Sequence, residues 1–141
     1  MDIKDFEQYL KRLPEMIDSA AKKALEESSQ ETESRLSMIF KTEGRSENAG
    51  WVSLKEKYLL WKLKKGFSEK KLHKTATLAQ SFYSKINSHE ATVGTPVRYA
   101  VYHEYGTRHI PKRPFMEPVF KTMTKRLPDI FKKNLEAVLN G

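Results

Sequence analysis

His103, Tyr105, Arg108 and His109 fall within seven residues, and such a set is what a metal-free ribonuclease uses for acid–base work. The same residues also make up an ordinary exposed basic loop. His103 and His109 could share a metal only if the chain folded back across Gly106, and neither cysteine nor clustered aspartate is there to complete such a site. No phosphate-cradling glycine loop, Gly-x-Ser-x-Gly or His-Glu-x-x-His is present. A second candidate is the run from Trp51 to Lys74. There Trp51, Leu54, Tyr58 and Trp61 interleave with Lys62, Lys64, Lys65, Lys70, Lys71 and Lys74. Lysines and aromatic rings together suit single-stranded nucleic acid, by charge and base stacking. The competing reading makes the aromatic residues core and the lysines a solvated face.

The third candidate is a surface shape. Pro96, Pro111, Pro114 and Pro118 crowd residues 94–120. Tyr99, Tyr102 and Tyr105 recur every third residue, which places them on one side of a short helical turn. Gly106 stops the turn, since glycine past a helix end takes a positive φ at little cost. Pro111 and Pro114 hold the following segment extended. The result is a rigid docking loop made of Tyr99, Tyr102, Tyr105, Gly106, Arg108, Pro111, Arg113, Pro114 and Phe115. Phe115 is expected to anchor it in the core, with Arg108 and Arg113 at the rim facing a partner.

The elements that position this loop follow from periodicity. Ile3, Phe6, Leu10, Leu13, Ile17, Ala21, Ala24, Leu25, Leu36, Ile39 and Phe40 step by threes and fours, a helical arm over residues 1–41. Asp2 or Asp5 caps it. Pro14 predicts a kink or a fresh helix start, and the polar run Ser28–Ser34 weakens the stripe. The arm reads as too long and too polar to be buried on a small body. It lies along a sheet or pairs with a neighbouring subunit. Residues 42–50 read as a mobile loop. Ser53 and Glu56 would cap a helix that Gly66 ends. A period of two from Ser81 predicts a hairpin over about 81–95. Val119 to Leu139 give a C-terminal amphipathic helix over 118–140, opened by Pro118 and kinked at Pro128. The fold class is α+β in one domain: a long N-terminal helix, a small antiparallel sheet, a short aromatic helix and a C-terminal amphipathic helix.

Composition bounds the partners. The 141 residues carry a formal charge of +8 and no cysteine, which excludes disulfides and thiolate chemistry. Residues 1–50 hold 8 basic and 11 acidic groups, while 51–107 hold 10 and 4 and 108–141 hold 8 and 3. An acidic arm and a basic remainder attract each other, within a chain or between neighbours. No apolar run nears the roughly 18 residues of a membrane span. The start carries no apolar signal segment, which predicts a chain made in the cytosol.

Several short motifs in order resemble the phage virion morphogenesis (tail completion) family. They are Trp51, Leu54, Tyr58, Lys62 and Gly66; Leu72, Thr75, Leu78 and Ser81; Val93-Gly94-Thr95; Tyr99-Ala100; His103-Glu104-Tyr105-Gly106; and Ile110-Pro111 to Arg113-Pro114-Phe115. The ending is also similar to head–tail connector and minor tail proteins. The likeness spans about 51–120 and leaves the N-terminal helix outside it. Ala76 stands where such proteins often carry glycine, and Glu104 where glutamine is common. The resemblance implies a non-enzymatic structural protein without cofactor or metal, a ring subunit at the tail or neck of a phage or prophage particle. Its partners would be other tail or neck proteins and copies of itself, with non-specific DNA contact through Lys62, Lys64, Lys65, Lys70, Lys71 and Lys74 and no membrane. It would be assembled in the bacterial host's cytoplasm and end in the virion. A nucleic-acid-binding protein and a small basic ribonuclease of toxin type stand as the alternatives.

Overall fold

The computed structural model describes residues 2–52 and 76–140. The 39-residue helix α1 (Ile3–Lys41) is followed by a 3-10 turn at Arg45–Glu47. Then come a four-residue helix α2 (Ala76–Ala79), strands β1 (Tyr83–Ile86) and β2 (Ala91–Gly94), a short helix α3 (Ala100–Tyr105) and α4 (Met116–Asn140). The fold is mixed α+β and mostly helical. The expected helix bounded by Ser53 and Gly66 lies outside the described residues.

Asp2 caps α1: its Oδ1 accepts from the Asp5 N–H at 2.8 Å, and the Asp5 carboxylate accepts back from the Asp2 N–H at 3.4 Å. This reciprocal pair satisfies two of the donors that a helix start leaves free. Pro14 does not begin a fresh helix, because α1 runs unbroken through it. Pro14 and Leu10 are both exposed, so water can reach the carbonyl that proline cannot bond. The C-terminal helix is likewise continuous through Pro128.

The polar run in α1 corrects a second expectation. Ser28, Ser29 and Thr32 are buried and form part of the packed face. Their hydroxyls donate back to main-chain carbonyls one turn earlier: Ser28 to Ala24 at 2.6 Å, Ser29 to Leu25 at 2.8 Å and Thr32 to Ser28 at 2.7 Å. A hydroxyl satisfied by its own helix can be buried without an unmet hydrogen bond. Its small size also lets another element approach. The arm is therefore too polar to be buried only in its first half, and from Ala20 to Phe40 it is part of the core.

Helix α4 packs antiparallel along this half. Arg126 bonds Glu31 through Nε at 3.2 Å and a second nitrogen at 3.0 Å, while Lys133 and Asn134 both reach Glu27. Beneath these pairs lie Leu36, Ile39, Val119, Met123 and Ile130. At one end the rings close: Phe40 lies 5.3 Å from Phe115, 5.7 Å from Trp51 and 5.8 Å from Phe82, centroid to centroid. Such spacings add attraction beyond the area they bury.

The segment 42–50 is not a free loop. Glu47 bonds Arg35 of α1 and the Thr122 hydroxyl of α4. Gly44 takes a φ of +88°, and a Cβ there would fall 2.7 Å from the Trp51 ring. The hairpin sits where expected. Tyr83 pairs with Gly94 and Ile86 with Ala91, and the Asn87 side chain accepts from the N–H groups of His89 and Glu90 to close the turn.

Two outcomes follow from this packing. Phe115→Ala should lower the unfolding free energy by about 3–5 kcal/mol, read from denaturant melts, because the ring is 1% exposed. Glu31 is held below the ordinary carboxylate range by its bond to Arg126, which outweighs burial, with Arg35 adding to it. A carboxyl depressed in the folded state stabilises fully above its unfolded pKa and loses that contribution as pH falls through the folded value. Melting temperature should therefore drop below about pH 4.3. Glu31→Gln should flatten part of that drop while costing no more than about 1 kcal/mol at pH 7, since the pair is half in solvent.

Candidate functional site

Helix α3 has two faces. Ala100 and Glu104, one turn apart, point inward and are buried. Tyr99, Val101, Tyr102 and Tyr105 point outward, with Tyr102 at 55% and Tyr105 at 76% exposure. The three-residue tyrosine spacing thus produces an exposed aromatic face on a helix only six residues long. A helix that short is marginal by itself and needs tertiary anchoring. Ala100 supplies part of that through the core, and Glu104 supplies the rest.

The Glu104 carboxylate reaches across to the start of α4. One oxygen accepts from the Phe115 N–H at 2.7 Å and the Met116 N–H at 3.0 Å, and the other accepts from the Glu117 N–H at 2.9 Å. These are donors that a helix start leaves unpaired, and a negative charge there also meets the positive end of the helix dipole. Glu104 is therefore an N-terminal cap delivered by a different helix.

Between the two helices the loop folds tightly. Gly106 has a φ of +75°, and a Cβ on it would lie 2.9 Å from the Lys112 nitrogen and 3.1 Å from the Ile110 carbonyl. Both conformation and space restrict that position to glycine. The Thr107 N–H donates to the Ile110 carbonyl at 2.8 Å, and the Thr107 hydroxyl accepts from the His109 and Ile110 N–H groups. The Arg113 N–H donates to the His103 carbonyl at 2.7 Å. From the other side, the Trp51 indole N–H donates to the Pro114 carbonyl at 2.6 Å. The loop is thus tied at both ends and at its middle.

The expected loop residues separate into two groups. Tyr99, Tyr102, Tyr105, Arg108 and Pro111 lie at the surface. Pro114 is partly covered, and Phe115 is the core residue of the segment. Arg113 corrects the expectation that it faces a partner at the rim: it is 7% exposed, and its Nε donates to the Val52 carbonyl. The guanidinium is used to fasten residues 51–52 over the loop. Lys62, Lys64, Lys65, Lys70, Lys71 and Lys74 lie outside the described residues.

His103 is half-buried, with its ring edge-on to Tyr99 at 5.8 Å. Burial pushes its pKa down, and the Arg113 charge pushes it the same way, so the ring is neutral at pH 7. Its Nδ1 is buried without a protein partner. Tyr105, Arg108 and His109 stand exposed, so one member of the acid–base set is half-buried on α3 and three face solvent. Among the described residues no three His, Asp or Glu side chains come together in a manner that could hold a metal ion. None of the described helices is long and apolar enough to cross a membrane.

Spacing could not reveal Glu104 and Trp51 as fasteners. Glu104 caps a helix that begins a dozen residues later, and Trp51 bonds a carbonyl 63 positions away. The one local sign was the Arg-Pro-Phe run itself, whose rigidity presents bare N–H groups at a helix start.

A family model described as the phage virion morphogenesis family matches residues 1–136. The match takes in the N-terminal helix, which the motif likeness over 51–120 left out. No curated protein and no solved structure matches the chain.

The cap can be tested directly. Glu104→Gln keeps one acceptor oxygen where the carboxylate has two, and Glu104→Ala keeps none. Unfolding in denaturant should show a loss of about 1–2 kcal/mol for the glutamine variant and about 2–4 kcal/mol for alanine. Equal melting of all three proteins would show that the bonds to Phe115, Met116 and Glu117 contribute nothing.

Proposed function

This chain belongs to the phage virion morphogenesis family, and on that premise we propose that it is a structural subunit completing the tail or neck of the particle. In this reading it acts as a ring subunit in head–tail joining and performs no catalysis. The observation that carries the proposal is the α3 loop. A six-residue helix and the Tyr99 that precedes it display three tyrosines outward while Glu104, Phe115 and Trp51 fasten them from behind. A rigid aromatic surface loses little conformational freedom on docking, so most of the contact energy is kept. Tyrosine is also among the residues that dominate binding at protein interfaces.

The charge fits the same setting. A net +8 favours non-specific approach to DNA, the polyanion that passes through a head–tail junction. The lysines of 62–74 are the proposed DNA-facing groups. The ribonuclease alternative has less support, because His103 is drawn against Tyr99 and kept neutral while His109 stands apart on the loop.

Phage lacking the protein should accumulate heads and tails that do not join, and electron microscopy of complete particles should place it as a ring at the head-proximal tail end or neck. Tyr102→Ala combined with Tyr105→Ala should leave the unfolding free energy within about 0.5 kcal/mol of the parent, as exposed changes do. The same variant should fail to restore infectivity. Normal head–tail joining without the protein would refute the assignment.

A further inference from the structure

The first buried residue along α1 is Ala20. Before it, Ile3, Phe6, Leu10, Leu13 and Ile17 follow the alternating three-and-four spacing of a helical seam, and the same spacing continues into the buried Ala20 and Ala24. Ile3 is 78% exposed, and Phe6, Leu10 and Ile17 are about half exposed. The stripe is left open because of register. Glu31 lies beside Arg126 and Glu27 beside Lys133, so α4 advances as α1 recedes and runs out near Ser19. Met16, Ser19, Val138 and Leu139 line the groove where it does so. The open stripe is about 21 Å long, at 1.5 Å per residue.

Helix α4 has an open stripe of its own. Phe120, Phe131 and Leu135 are exposed along it and span about 22 Å. The charges beside the two stripes are opposite. Asp2, Glu7 and Asp18 are the charged residues nearest the arm's apolar line, whereas Lys4 and Arg12 lie across the helix from it. Lys125 and Lys132 lie beside the α4 line and are exposed, while Lys121 beside it is already paired with Glu117 at 3.0 Å. Arm against arm would set acid against acid. Arm against α4 sets acid against lysine.

We propose that the first four turns of α1, residues 3–17, dock on the exposed apolar stripe of α4 in a second copy of this chain. The contact is head-to-tail, because the two patches differ, and each copy then both gives an arm and receives one. Such contacts propagate, and they close into a ring when the rotation between copies allows it. The inference rests on the tail or neck reading and supplies its subunit contact.

The chain has no cysteine, so introduced pairs report cleanly. Full-length Leu10→Cys and Leu135→Cys, both at exposed sites, are purified separately, checked for parent-like circular dichroism, mixed and oxidised. The expected product is the mixed disulfide dimer, and the double variant should give a ladder of head-to-tail oligomers. Glu7→Lys with Asp18→Lys on the arm-giving chain should cut the mixed product at least tenfold, and Lys125→Glu with Lys132→Glu on the receiving chain should restore it. Predominant Leu10→Cys homodimers would overturn the proposal in favour of paired arms. No cross-link, or no rescue by charge reversal, would overturn it as well. A cross-link from a protein whose absence leaves head–tail joining intact would keep the contact and remove the tail or neck role. The converse pair of results would do the opposite.

Discussion

One buried carboxylate sets the geometry of the whole C-terminal half. Glu104 accepts three main-chain N–H groups at the start of α4 and so fixes where that helix begins and which way it points. The position of Phe115, the first of those donors, decides whether its ring meets Phe40 and Phe82. Buried N–H groups without acceptors are expensive, so the loop before α4 has little freedom to drift. The same bonds hold α3 from the inside, and an outward tyrosine face is the consequence. Capping, core packing and surface display are here a single arrangement.

The α1–α4 seam works by a different economy. Alanine, serine and threonine side chains on α1 keep the contact face shallow, and their hydroxyls are satisfied within their own helix. Larger residues gather towards the far end, where Leu36, Ile39 and Phe40 meet the loop and the hairpin. Charged pairs along the seam's edge, with Glu27 and Glu31 on one side and Arg126 and Lys133 on the other, set register more than they add stability. Register in turn decides which part of α1 is covered.

What could be read from the chain was local. The tyrosine spacing, the Gly106 stop and the alternation after Ser81 each depend on neighbours a few positions away, and α3, its end and the hairpin formed accordingly. Ser28 and Thr32 were misread because polarity was taken for exposure, although a hydroxyl can bond its own helix and be buried. Pro14 starts no fresh helix, because an exposed proline need not end a helix whose freed carbonyl meets water. Arg113 and Glu47 took their places from partners remote in sequence, Val52 for one and Thr122 for the other. The outward face of α3 and its loop was legible; the fasteners behind it were not.

Several partners of α1 come late. Glu31 waits for Arg126, Glu27 for Lys133, and Phe40 for Phe115, separations that reach 106 positions. A ribosome therefore makes the longest helix first and its cover last. Through most of synthesis Leu36, Ile39 and Phe40 have no α4 to pack against, and the apolar line through Leu10 and Ile17 is bare besides. Contacts so distant along the chain close slowly, and exposed apolar surface in the meantime invites association between nascent chains. The acidic character of the first fifty residues acts early in that interval, since like charges hold neighbouring unfinished chains apart until the basic residues after position 51 emerge and neutralise them.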